Sequence, residues 1–437
     1  MKYKQLLGLI LISANLSFTG LGFASLTQAA EPTLPESSAH IHMGVASCAT
    51  SACHGKVAAV TGRNVMLNEY HLWSTQDHHS RAYQTLLSDQ SKRIANYLNL
   101  PSAHTAPECL ACHADNVPAE RRGPKFQLTD GVGCEACHGG SEQWLQKHTE
   151  PNATHASNIA AGLYPTENPY PRAALCLSCH VGTKSKFADH EMMAAGHPRL
   201  TFELDTFTAN QPAHYQIDED YIQRKGQPSV GYLWMVGQIE SAKRLLTLID
   251  SHGGKLTSKN LAVYDCHGCH RPMKVRSNVN EPARNSLPVG SPRLLDYPFD
   301  MLAVMFDVLL PTEQSAWQSA MRDLQSATVT PANLPNATNA LRSQLLSLEQ
   351  TLTKTQPRVE NVKRIRATIA TQGAAGNYSD FTSAEQAFLA IESLSYSIGD
   401  RDNLVSGLDE LYKAVDNEFQ FEPQKFQQAS AKLQKSL

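Results

Sequence analysis

GVGCEACHGGSEQWLQKH, residues 131–148, sets two cysteines three positions apart, places a histidine directly after the second, and adds another histidine ten residues on. The same ending recurs along the chain. All ten cysteines fall into five pairs, each closed by Cys-His: Cys48/Cys53/His54, Cys109/Cys112/His113, Cys134/Cys137/His138, Cys176/Cys179/His180 and Cys266/Cys269/His270. Four of them read C-x-x-C-H, the spacing of covalent c-type haem attachment. Two thiols add to the vinyl groups on one porphyrin edge, and the next residue brings an imidazole under the iron. Zinc ribbons and disulfide frameworks also use paired cysteines, yet neither calls for a histidine after every second one. The remaining pair, the first in chain order, CATSACHG at residues 48–55, has four residues between its cysteines but keeps the Cys53-His54 end that supplies the iron ligand. Its two cysteines are otherwise orphaned, so the cofactor expectation is five haem c groups.

Thirteen of the eighteen histidines remain for the opposite face of these irons. A second histidine makes a haem iron six-coordinate and low-spin, suited to electron transfer. The expected distal set is His71 in EYHLWS, His78 or His79 in DHHSRAY with His79 preferred, His148 in WLQKH, His190 and His197 in DHEMMAAGHPRL, and His214 in QPAHY. His40, His42, His104, His155, His252 and His267 are weaker candidates, and Met66, Met192 or Met193 offer a thioether instead.

The first twenty residues, MKYKQLLGLILISANLSFTG, put Lys2 and Lys4 before a short apolar run, and TQAAE follows. This is the pattern of a secretory signal peptide, residues 1–29, which predicts a periplasmic protein. No later segment reaches the roughly 20 apolar residues of a membrane span, so no span is expected in the mature chain. Loss of Lys2 and Lys4 takes the formal charge from −3 to −5, and five haems with their propionates bring it to about −10. That balance excludes nucleic acid as a partner and favours redox proteins with basic docking rims.

The haem motifs end at His270, and no cysteine or histidine follows. Residues 30–275 therefore read as a pentahaem cytochrome c domain whose interior is filled by macrocycles, with short helices and little regular sheet. Within it Met235, Ile239, Ala242, Leu246 and Ile249 predict one longer helix that scaffolds the last haem and stops at Gly253-Gly254. Residues 276–300 form a proline-rich linker. Leu341, Leu345, Leu348 and Leu352, then Val362, Ile365 and Ile369, then a Thr382–Glu385 capping box before Phe388, Ile391 and Leu394, predict a helical bundle over 301–437. The fold class is mainly α.

Residues 131–148 and WSTQDHHSRAY, residues 73–83, resemble the cytochrome c-554 family of multihaem proteins, whose type member is a tetrahaem electron carrier. Its tryptophan, histidine and alanine are matched by Trp73, His79 and Ala82, and its GVxCExCHG site by Gly131 through Gly139, with His148 beyond. The resemblance extends over about residues 45–275. It implies that His79 and His148 are distal ligands and that neighbouring porphyrins stack closely. The additional motif and the C-terminal bundle depart from the tetrahaem pattern, so that carrier's partner does not carry over.

The leading functional reading is a periplasmic five-haem electron carrier. The alternative is a reductase in which one open iron acts on a small nitrogen or sulfur species, with a residue such as Arg81 supplying charge or protons. A third reading makes the haem region a subunit of a larger complex with the bundle as its docking element. The spacing of 20 residues between His113 and Cys134 also predicts that the second and third motifs are neighbours.

Overall fold

The computed structural model describes residues 33–62, 65–227, 229–270, 287–288 and 291–437. The signal-peptide expectation and most of the linker lie outside the described residues. Within them are nineteen α-helices and no sheet, only isolated bridges such as His42 with Arg122, which bears out a mainly α fold. No helix among the described residues is long and apolar enough to cross a membrane.

The C-x-x-C-H motifs close short helices whose starts are written in the sequence. Pro107–His113 and Pro169–His180 begin on a proline, which suits the first helical position because its missing N–H would have no partner there. Cys266–Cys269 is capped by the Asp265 carboxylate, which accepts the His267 amide at 2.9 Å. Cys134–His138 follows Gly133. CATSACH makes turns instead of a helix. Its two additional residues are looped out, and the His54 amide still donates to the Cys48 carbonyl at 3.1 Å, as the His270 amide does to Cys266 at 2.6 Å. The longer gap keeps the closing bond between histidine and first cysteine.

The Tyr232–His252 helix buries Met235, Ile239, Ala242, Leu246 and Ile249 completely and ends at Gly253. It packs on the short helical turn Lys259–Val263 that leads into the fifth motif, and also on Pro169–His180, the helix of the fourth. Burial all round, with Trp234 and Val236 also sealed off, is what lets it serve both.

Beyond residue 290 the helices Tyr297–Leu309, Gln314–Ser326, Leu334–Lys354, Val359–Ala374, Phe381–Ile398, Val405–Val415 and Pro423–Leu433 follow one another. The leucines at 341, 345, 348 and 352 and Val362, Ile365, Ile369, Ile391 and Leu394 are all buried. These stripes are core, merged with the Tyr232–His252 helix and with Ala173 and Leu177 into one continuous cluster. Pro32–Leu437 is accordingly one compact unit. The helix containing Phe388 starts one residue before the expected capping box. Asp380 caps it by accepting the Ser383 amide at 2.8 Å, so Thr382 is not the cap and Glu385 is free for other contacts.

Candidate haem centres

Each of the five Cys-His histidines faces one other histidine. His54 lies opposite His148 with ring centroids 6.2 Å apart, and His113 opposite His197 at 6.4 Å. His138 faces His214 at 6.1 Å, His180 faces His79 at 6.1 Å, and His270 faces His190 at 6.2 Å. Two imidazole nitrogens about 2 Å from one metal ion, with ring centres about 1.1 Å behind them, place the centroids about 6.3 Å apart. The spacing in all five pairs therefore fits an iron between the rings. No direct ring stacking needs so wide a separation in every pair.

Five of the ten rings are also oriented by a hydrogen bond at Nδ1. A carbonyl oxygen only accepts, so a ring nitrogen bonded to one carries the proton and leaves the other nitrogen's lone pair for a metal. His113 Nδ1 donates to the Ala82 carbonyl at 3.1 Å, His148 Nδ1 to Trp144 at 3.1 Å and His197 Nδ1 to Pro198 at 2.8 Å. His54 and His79 use carboxylates: Nδ1 of the first lies 2.9 Å from Glu69 Oε2, and Nδ1 of the second 2.9 Å from Asp77 Oδ1. These hydrogen bonds raise both imidazoles' proton affinity against the opposing effect of burial. Burial pushes Asp77 up, but the bonds from His79 and Gln211 win and hold it well below the usual carboxylate range. Burial pushes His138 down to about 3 and His180 to about 4, which keeps both neutral and their lone pairs available.

The stretches 73–83 and 131–139 lock together. Trp73 Nε1 donates to the Val132 carbonyl at 3.1 Å, and the Val132 amide donates to the His79 carbonyl at 3.0 Å. Gly131 has φ of +72°, and a Cβ there would sit 2.8 Å from that same carbonyl. Only glycine suits this position. Glu135, inside the third motif, is buried and accepts the amides of Met43 at 2.7 Å, Gly44 at 2.6 Å and Ser141 at 2.7 Å. It ties the approach to the first motif onto the third.

The cysteines report how the motifs adjoin. The Cys48 and Cys134 side chains are close neighbours, as are those of Cys112 and Cys179, and Cys137 lies within electrostatic reach of Cys176 and Cys179. Third and first motifs thus adjoin, as do second and fourth, and third and fourth. The short spacing between second and third is spanned by the Asp115 amide donating to the Gly131 carbonyl at 2.8 Å. None of the ten cysteines forms a disulfide.

Residues 43–139 match the family model described as cytochrome c554 and c-prime. Over this stretch the chain is similar to the c-type cytochromes of that family. The match takes in the first three motifs with Trp73, His79 and Ala82, a narrower span than residues 45–275. Comparison with curated proteins and with solved structures gave no match. Cytochromes of this kind bind haem covalently and serve in electron transfer.

Of the expected distal histidines, the fold brings His79, His148, His190, His197 and His214 each against one motif histidine and leaves His78 exposed. His71 stands apart. It lies in the Glu69–Gln76 helix, where its carbonyl accepts the Thr75 hydroxyl at 2.6 Å, and it has no ring contact among the described residues. Others have different partners: His42 pairs with Asp115 at 2.8 Å, His155 with Glu167 at 2.7 Å, and His252 with Asn260 at 3.2 Å. Sequence reasoning passed over Glu69 and Asp77. Their signal is local, since Asp77 sits two residues before His79 and also caps its turn.

Proposed function

We propose that this chain is an exported, periplasmic electron-transfer protein holding five covalent haems, each iron between two histidines. Cys48 and Cys53, Cys109 and Cys112, Cys134 and Cys137, Cys176 and Cys179, and Cys266 and Cys269 are the thioether anchors. The ligand pairs are His54 with His148, His113 with His197, His138 with His214, His180 with His79, and His270 with His190. The observation that carries this reading is the ring pairing at 6.1–6.4 Å, repeated once for every motif. When bound, the haems supply reversible one-electron chemistry across a low reorganisation barrier. The polypeptide's part is to hold two imidazoles face to face at each motif and, at His54, His79, His113, His148 and His197, to orient the ring through a hydrogen bond at Nδ1. A pair at every motif favours the carrier over a reductase with an open iron.

The acidic balance predicts that electron exchange with a small basic single-haem cytochrome slows as ionic strength rises through about 0.1 M, where screening reaches about 10 Å. Stopped-flow mixing at graded salt measures this. A rate independent of salt contradicts docking by charge, and absence of exchange with any redox protein contradicts the carrier reading. Intact mass supplies the haem count, with five expected.

A further inference from the structure

The C-terminal helices lack every residue type that binds haem iron in this chain, yet they close around the fifth motif. Arg199, two residues beyond His197, places Nη2 3.1 Å from Glu385 Oε2 and Nε 3.3 Å from Glu418 Oε2. Its guanidinium carbon lies 5.3 Å above the Phe381 ring, and the Thr201 hydroxyl donates to the same Glu385 oxygen at 2.5 Å. Glu418 reaches the other way as well. Its Oε1 is 3.8 Å from Nε2 of His267, the residue after Cys266, and His267 clusters with Phe381 at 6.0 Å and Phe421 at 6.5 Å, which are 5.6 Å from each other. Arg293 Nη1 stands 3.8 Å from both Asp265 and Asp380, the caps of the Cys266–Cys269 and Phe381–Ile398 helices. One carboxylate thus links the strap that carries His197 to the motif that ends in His270, and five of the residues concerned, Asp380, Phe381, Glu385, Glu418 and Phe421, come from the C-terminal region.

We propose that the C-terminal helical region is the housing of the fifth haem centre, in which Glu418 and Arg199 fix the Cys266–His270 motif against the His197 strap and set the reduction potential of the haem bound there. The proposal rests on the five-haem reading. A carboxylate near an iron–porphyrin favours the ferric state and lowers its potential, and a guanidinium does the reverse. All three side chains are mostly buried, with 16–28 % of Glu385, Arg199 and Glu418 exposed, so water screens them incompletely.

The test is a potentiometric titration of the full-length, haem-loaded protein and of Glu418→Gln and Arg199→Gln. The fifth centre's transition is the one missing from a Cys266→Ser/Cys269→Ser protein. Glu418→Gln should move that transition to higher potential and Arg199→Gln to lower potential, with the other four less affected and the haem count by mass unchanged. Lys432→Gln, which removes an exposed ion pair with Glu410, should move none. Opposite shifts at one centre are a charge effect that loosened packing does not produce. Shifts in the same direction, equal shifts at every centre, or no shift overturn the housing. If Arg199→Gln fails to fold, the sign of the Glu418→Gln shift decides alone. An unaltered protein with fewer than five haems defeats the reading beneath the proposal, an outcome visible in the mass before any titration.

Discussion

Asp77 and His79 are the smallest unit in which this chain's chemistry can be tested. The carboxylate orients the ring and, on the five-haem proposal, would as an anion on its far nitrogen strengthen it as a ligand to ferric iron. Asp77→Asn keeps the shape and removes the charge, so one haem potential should rise by tens of millivolts, where 59 mV is tenfold for a one-electron step. A potentiometric titration identical to that of the unaltered protein contradicts this role. The five Cys-His histidines stand out in the sequence because each follows a cysteine pair within a few consecutive residues. The histidines that face them were legible only as a set. His78 and His79 are neighbours of the same type, and what separates them is across the fold: His79 faces His180, and Asp77 holds its ring. His71 shows the limit of aromatic flanks as a signal, since Tyr70 and Trp73 pack on each other at 5.9 Å while Trp73 serves the Val132 carbonyl.

Elements were read best where periodicity was long. The Tyr232–His252 helix and the stripes at 341–352 and 362–369 follow directly from apolar spacing, because burial on one face is what that spacing encodes. Their boundaries were less legible. Asp380 and Thr382 are both acceptable cap residues two positions apart, and the choice depends on Glu385 being drawn to Arg199 and Thr201. Asp380→Ala should cost about 1 kcal/mol and Thr382→Ala well under that, measured by denaturant midpoint at constant slope. Equal losses would restore the capping box. Glu203 gives a second test. It caps the Leu204–Asn210 helix, accepting the Asp205 amide at 2.9 Å and the Thr206 amide at 2.8 Å, and burial, with Asp205 adding to it, raises it to about 7 from an ordinary 4.5. Between those values the folded chain holds a proton that the unfolded chain has released. Stability should therefore fall as pH rises from about 4.5 to about 7, by at most about 3 kcal/mol. Glu203→Gln should flatten that slope, and an unchanged slope would show that these hydrogen bonds, with a third from the Thr206 hydroxyl at 2.6 Å, outweigh burial.

At the scale of the whole molecule, a haem region with few large buried apolar side chains is completed by helices rich in them, and the two share one core. The adjacency of the motifs, first to third, third to fourth and fourth to second, was not legible, because it depends on how distant turns close on one another and not on spacing along the chain. The ring planes carry a further imprint of that closure. They are near perpendicular in three pairs, at 83–90°, nearly parallel at 14° for His54 with His148, and at 38° for His190 with His270. Crossed imidazoles leave two iron orbitals nearly degenerate and give one strongly shifted resonance, whereas parallel ones give a rhombic spectrum. The decisive measurement is the EPR spectrum of the oxidised protein with its haem count known from mass. Every iron paired between two histidines predicts low-spin signals alone, the strongly shifted type accounting for three haems and a rhombic set for at least one. A high-spin signal from about one iron in five would contradict the central claim, because one centre would then lack its second histidine.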